Sequence, residues 1–242
     1  MKKNLTILLA AGKGTRMNGN VPKALMPLAG KPMIKYLIDT LKSANLNDIV
    51  VVTAPDGELV RREVNPLKTA IQYKQLGTGH AVLAAEESFK NFDGNVIVAF
   101  GDQPLYTKQT FEKLLAKRDE GYSIVCVGFR PEDPLRFGRL NVVNGELKSI
   151  IEFKDATDEE KKIDFCNSGL MCFDGKEMYN ILSEIKNNNA AEEYYLTDAI
   201  AIAISKGLKC SAIECSPLEG LGIDTQELLK QIENTILDNK AM

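Results

Sequence analysis

The chain has 242 residues, 44% of them hydrophobic and 26% charged, which suits one globular unit of generous size or a core domain with a smaller lobe. Its formal net charge of −3 argues against a nucleic-acid binder relying on bulk positive field. No run approaches the roughly 20 apolar residues that a membrane span requires.

The opening MKKNLTILLA has the lysines and apolar stretch of a signal peptide, but the stretch is too short, and GKGTR stands where small cleavage-site residues belong. It reads instead as a first strand, LTILLA from Leu5. Further apolar runs follow: DIVVVTA from Asp48, IQYKQ from Ile71, NVIVAFGD from Asn95 and SIVCVGF from Ser123. Their continuous apolar character is expected of strands buried on both faces of a parallel sheet. Helical patterns lie between them. GHAVLAAEESF follows Thr78, and TKQTFEKLLAKRDE sets Phe111, Leu114 and Leu115 on one face with Thr107 as N-cap. This alternation predicts an α/β fold, doubly wound and mostly parallel, Rossmann-like in layout.

The rhythm changes after Phe129. RLNVVNGELKSIIEF alternates on both sides of Asn144-Gly145, a hairpin signal of type I′. KDATDEEKKID is a charged loop, and FCNSGLMCF returns to strand. KEMYNILSEIK and TDAIAIAISKG read as helices, KCSAIEC as a strand and TQELLKQIENTIL as an amphipathic closing helix. No linker separates independent domains, so one domain is expected over 1–242: a first half over about 1–128, a smaller lobe over about 129–224 and a C-terminal helix over 225–242. The five cysteines (Cys126, Cys166, Cys172, Cys210, Cys215) make no C-x-x-C pair, and the chain has one histidine. A zinc site or disulfide framework is therefore not expected, and a reducing cytoplasm fits best.

Charge is concentrated at the start. Lys2, Lys3, Lys13, Arg16, Lys23, Lys31 and Lys35 all precede the first acidic residue, Asp39. Several of these cations are interleaved with glycine and proline in AAGKGTRM and PKAL, directly behind the first strand. Gly12 and Gly14 let backbone N–H groups approach phosphate oxygens, Arg16 adds a planar fork of donors, and Lys23 adds a compact charge. Met17 stands where a Rossmann fingerprint needs its third glycine, and no spacing fits a P-loop. A nucleotide or sugar phosphate is the ligand this loop suggests. Asp102 ends the strand NVIVAFG, so its carboxylate emerges at the C-terminal edge of the sheet, where open α/β sheets bind ligands. A turn-forming aspartate before Gln103-Pro104 is the competing reading.

The string LAAGKGTRM…PKAL…LAGKPMI resembles the sugar nucleotidyltransferase superfamily. With QLGTGHA (75–81), GDQPL (101–105), GRL…IIEFKDAT (138–157) and EEYYLTD (192–198), the set is similar to the uridylyltransferase domain of the bacterial N-acetylglucosamine-1-phosphate uridylyltransferases, from Leu5 to about Asp224. The resemblance implies transfer of UMP from UTP to N-acetylglucosamine 1-phosphate, with magnesium as cofactor, a nucleotide-binding first half, a sugar-binding second lobe and a role in cell-envelope precursor supply. It places Arg16 on the leaving pyrophosphate and Lys23 on the phosphates in transfer. Leu9, Ala10, Ala11, Gly12, Gln72, Gly77 and Thr78 are assigned to the nucleotide. Gly101, Gly138, Glu152, Asn167, Tyr195 and Thr197 are assigned to the sugar, and Asp102 and Asp224 to the metal.

Three positions depart from the family pattern. Asp224 stands where members commonly have Asn, Phe100 where they have Tyr, and Phe153 where they have His. Asp224 is also a plausible N-cap for the helix from Thr225. Phe100 and Phe153 leave a different sugar 1-phosphate open, and a non-catalytic nucleotide-sugar-binding module is a third reading, against which Arg16, Lys23 and Asp102 weigh. No hexapeptide repeat occurs in these residues, so no acetyltransferase activity is expected. Expected partners are the two substrates, with no nucleic acid and no membrane; no feature of the sequence assigns an oligomeric state.

Overall fold

The structure, a computed structural model, describes residues 2–12, 21–134 and 137–241, the last four by backbone alone. β1 (Lys3–Ala10) is the expected first strand. After a short turn of 3-10 helix come a two-residue ribbon, β2 (Pro27–Leu28) with β3 (Lys31–Pro32), and helix α1 (Met33–Ser43). The chain then alternates through β4 (Ile49–Thr53), α2 (Glu58–Val64), β5 (Lys68–Ile71), α3 (Thr78–Leu83), α4 (Glu86–Phe89), β6 (Gly94–Phe100), α5 (Lys108–Asp119) and β7 (Ile124–Phe129). The second half contains β8 (Arg139–Val143), β9 (Glu146–Ile151), β10 (Cys166–Asp174), α6 (Gly175–Leu182), α7 (Ala199–Ser205), β11 (Cys210–Glu214) and α8 (Gln226–Ala241).

The main sheet runs β11-β7-β10-β6-β1-β4-β5, with β8 and β9 attached beyond β10. Every neighbouring pair along that path is parallel except those made by β10, which is antiparallel to both β6 and β7. The fold is thus α/β and mostly parallel, as the apolar runs implied. β1, β4, β6 and β7 are buried almost throughout because helices cover both faces. One face packs against Val82, Phe89, Met178 and Ile181, and the other against Ile34, Leu37, Phe111 and Leu114. Each such side chain contributes about 1.5–3 kcal/mol by leaving water.

Local signals account for most boundaries. Thr107 caps α5 by accepting from the Thr110 N–H, and Asp174 caps α6 by accepting from the Lys176 N–H. Asn144 (φ 53) and Gly145 (φ 79) form the turn between β8 and β9, with the paired positive φ values of a type I′ hairpin. Two expectations need correction. The strand assigned to IQYKQ lies earlier, at Lys68–Ile71, and Tyr73 beyond it is 78% exposed. β5 is a half-exposed edge strand, so it lacks the apolar run that marks its neighbours. GHAVLAAEESF forms two short helices rather than one, broken at Ala85, and Phe89 beyond the break is fully buried.

A third, smaller cluster joins α8 to the β2–β3 ribbon through Leu28, Met33, Ile223, Leu229 and Ile232. It fixes the segment before α8, which is tied again at Glu219. That buried carboxylate accepts from the Thr107 N–H (3.0 Å) and hydroxyl (2.8 Å), the Thr110 hydroxyl (2.6 Å), and the Ser216 N–H (3.1 Å) and hydroxyl (2.8 Å). Burial would raise its pKa, but donors from Thr110, Ser216 and Thr107 prevail and hold it at about 2. The stabilisation is complete above the ordinary value of 4.5 and is lost as pH falls through about 2. Glu219→Gln should therefore lower the unfolding free energy near neutrality by on the order of 2 kcal/mol and flatten its acid dependence. Urea denaturation across that pH range checks this; an unchanged midpoint at every pH contradicts it.

Candidate active site

β1 and β6 are parallel neighbours, so the loops leaving them lie side by side at the C-terminal edge of the sheet. Gly101 N–H donates to the Leu9 carbonyl (2.9 Å), carrying the pairing one residue beyond the strand. That brings Asp102 beside the segment Ala10–Gly12. The crevice lies where β1 has β4 on one side and β6 on the other, the kind of switch point at which such sheets take ligands.

Two cavities open there. The first, of about 540 Å³, is lined by Leu9, Ala10, Ala11, Gly12, Gln72, Gly77 and Thr78, which are all seven residues assigned to a nucleotide. Gly12 leaves open space where a side chain would stand, so a flat base or a phosphate can reach the backbone. Gly77 (φ 113) abuts Tyr194, whose backbone N and O would each lie 2.7 Å from an added Cβ. The loop is stitched to the later chain by Tyr194 N–H to the Leu76 carbonyl (2.8 Å), Gly79 N–H to the Tyr194 carbonyl (2.8 Å) and Leu196 N–H to the Thr78 hydroxyl (3.0 Å).

The second cavity, of about 510 Å³, is lined by Gly138, Glu152, Asn167 and Tyr195 of the sugar set, together with Asp224. Lys23, Phe100 and Asp102 line both cavities and so form their common border. β10 carries a register shift between Asn167 and Met171, with Gly169 (φ 97) packed against the Phe100 ring, and this irregularity turns its start toward the cavity. Arg139, fully buried, donates to the carbonyls of Phe137 and Lys161 and so clamps the chain on either side of the cavity wall.

Charged groups of both signs line this cavity. Burial raises the pKa of Glu152; the Thr197 hydroxyl donating to its Oε1 (2.9 Å) opposes the shift, and the carboxylates of Asp155 and Asp198 add to it. Tyr195 is raised by burial and by Asp155 and Glu152 among its neighbours. Glu152 thus sits among other carboxylates, while Lys154 lines the same cavity. At the border, Lys23 Nζ donates to Asp102 Oδ2, with side chains only 17% and 26% exposed. Ile223 N–H donates to the Asp102 carbonyl (2.9 Å), which puts Asp224 on the same cavity as Asp102. Two carboxylates facing one space, with no larger group of His, Cys, Asp or Glu among the described residues, is a donor set suited to a hard divalent cation that takes its other ligands from phosphate and water.

Not every assigned residue lines a cavity. Gly101 is buried behind Asp102, where an added Cβ would meet the Leu9 carbonyl at 3.3 Å. Thr197 lies behind Glu152 and reaches the cavity only through it. Arg16 lies outside the described residues. Other lining residues had been given no role. Gln75 donates to the Ala11 carbonyl, and Glu193 lines the first cavity; both fall within strings that carried the resemblance. Gln103, 5% exposed, donates through Nε2 to the Ser168 carbonyl, while its Oε1 is buried without a partner among the described residues.

A family model described as "MobA-like NTP transferase domain" matches residues 6–158. Two proteins named "Bifunctional protein GlmU" are similar over nearly the whole chain. One, from Paramagnetospirillum magneticum, is 43% identical over 96% of this chain and 52% of its own length. The other, from Rhodospirillum rubrum, is 42% identical over 100% of this chain and 55% of its own. The chain thus spans about half the length of the curated relatives it matches. A crystallised Bacillus anthracis protein, assigned as a glucose-1-phosphate thymidylyltransferase and solved with sucrose, shares the fold with a TM-score of 0.76, covering 96% of this chain and 95% of that one at 21% identity. Among the described residues no helix is long and apolar enough to cross a membrane.

Gly77→Ala tests the stitched wall. The added methyl meets Tyr194 backbone at a φ that disfavours any side chain, so thermal denaturation should show a loss of about 1–3 kcal/mol. Unaltered stability would mean that the loop relaxes freely there.

Proposed function

The chain belongs to the MobA-like NTP transferase family, and we propose that it transfers UMP from UTP to N-acetylglucosamine 1-phosphate, releasing pyrophosphate. The observation that carries this reading is the shared border of Lys23, Phe100 and Asp102 between a cavity suited to a nucleotide and one suited to a sugar. Uracil and N-acetylglucosamine are taken from the resemblance of the QLGTGHA, GDQPL, GRL…IIEFKDAT and EEYYLTD strings to the uridylyltransferases. Five buried, unpaired cysteines fit a reducing cytoplasm as its location.

An oxygen of the sugar 1-phosphate attacks the α-phosphorus of UTP; the bond from that phosphorus to the bridging oxygen breaks, and pyrophosphate leaves with the electron pair. The nucleophile is already anionic, so no general base is required, and His80 lines neither cavity. What the protein supplies is alignment and charge neutralisation. Asp102 and Asp224 would hold a divalent cation, proposed as magnesium, which would supply positive charge to the phosphates. Lys23 binds phosphate oxygens at the border, and Arg16 is assigned to the leaving pyrophosphate by the resemblance alone. Gly138, Glu152 and Asn167 orient the sugar hydroxyls and acetamido group, with Thr197 steadying Glu152 and Tyr195 closing the far side. Lys23 at the border favours one orientation of a sugar phosphate, phosphate toward Lys23.

The test is pyrophosphate release from UTP and magnesium with a panel of sugar 1-phosphates. Release with N-acetylglucosamine 1-phosphate, abolished by EDTA and restored by magnesium, is expected. Release only with another sugar corrects the substrate, and binding of a UDP-sugar without turnover rejects the reaction. Asp102→Asn should remove most turnover with the circular dichroism spectrum unchanged. Lys23→Ala should lower kcat about 100-fold. An effect confined to KM would contradict its role in the transfer.

A further inference from the structure

The sole histidine of the chain faces a residue of the first cavity rather than the cavity itself. Gln72, 4% exposed, directs its Nε2 at the Gly77 carbonyl (3.1 Å) and at His80 Nδ1 (3.2 Å). A carbonyl can only accept, so the Gly77 contact decides which end of the amide is the NH2 group. His80 Nδ1 must then be the bare, accepting nitrogen, with the ring proton on Nε2. Both amide protons are thereby engaged behind the cavity wall. Oε1, for which the described residues provide no partner, is the one atom of this amide left for a ligand.

We propose that His80 is a positioning residue for base selection: its neutral ring locks the Gln72 amide so that an acceptor, and never a donor, faces the base. This rests on the nucleotide assignment of the first cavity made above. A uracil ring presents N3–H, a donor, to such an acceptor. A cytosine ring has a bare N3 at the same place, and acceptor would meet acceptor. A site whose buried polar groups are fixed in advance rejects the analogue that leaves them unpaired. The conformational freedom of a glutamine amide would defeat this discrimination, since a half-turn exchanges its ends. His80 and the Gly77 carbonyl together prevent the half-turn.

Protonation reverses the arrangement. An imidazolium offers a donor at Nδ1, which opposes Nε2 of Gln72 and favours the turned amide. Burial of the ring and, second, the cation of Lys74 hold the His80 pKa below its ordinary value, and the other ring packed near it is Tyr194 at 6.2 Å between centroids. At neutral pH the locked form therefore prevails, and release belongs to acidic conditions.

The experiment is isothermal titration of wild type, His80→Leu and His80→Asn with UTP and with CTP, each with magnesium, at neutral and at mildly acidic pH, alongside kcat. His80→Leu removes the acceptor; it should weaken UTP binding about threefold to tenfold and narrow the UTP-over-CTP preference by a similar factor, with kcat little changed. His80→Asn, whose Oδ1 can accept in place of Nδ1, should restore most of both. Wild type should lose part of its UTP preference as the pH falls and His80→Asn should not, which separates the ring from the titrating phosphates. Equal UTP and CTP affinities in wild type, an unchanged preference in His80→Leu, or identical pH profiles for wild type and His80→Asn would overturn the proposal. Because affinity is read directly, a protein that binds UTP without turnover defeats the proposed reaction and still decides the role of His80.

Discussion

The contact between Lys23 and Asp102 sits where the two cavities meet, and the rest of the site is arranged around it. Asp102 is held at both ends: its carboxylate by Lys23, its carbonyl by the Ile223 N–H. The second contact also brings in Asp224, and two carboxylates turned toward one space repel each other unless a cation intervenes. Within the protein Lys23 offsets that repulsion. A divalent cation held there would add to that neutralisation and would offer positive charge to a phosphate. Such local conflicts tend to be found at functional sites.

The second organising feature is the seam between residues 76–79 and 194–196. Hydrogen bonds from Tyr194, Gly79 and Leu196 cross it, and Glu193 and Tyr195, two positions apart, line different cavities. A regular strand would turn two such residues to the same face; here an irregular segment sends them to different cavities, held by backbone contacts on the glycine-rich loop. The walls of the two cavities are thus one piece of structure. Thr78 accepts from Leu196 in that seam, which leaves its O–H able to donate.

The strands that place the site were legible because they are buried on both faces: β1, β4, β6 and β7 are unbroken apolar runs, and Gly12 and Asp102 follow directly from where two of them end. The Asn144-Gly145 hairpin was legible because its turn type demands positive φ at two adjacent residues. β5 was misplaced because an edge strand with exposed Lys68 and Thr69 leaves no apolar signature. Contacts between distant segments, such as Ile223 to Asp102 or Thr197 to Glu152, leave no mark on local pattern at all. Family resemblance supplied Glu152, Asn167 and Tyr195, and the cavity now collects them; it also supplied Gly101 and Thr197, which the fold sets one layer behind.

The central claim is that one divalent cation, held by Asp102 and Asp224, joins a base-binding cavity to a sugar-binding one across the Lys23 border. A crystal structure of the chain with UDP-N-acetylglucosamine and magnesium tests it most directly. The account predicts the pyrimidine against Ala11, Gly12 and Gln72, the sugar against Glu152 and Asn167, and the metal on both aspartates beside the diphosphate. A sugar seated in the first cavity, or a metal bound away from Asp102, would contradict it.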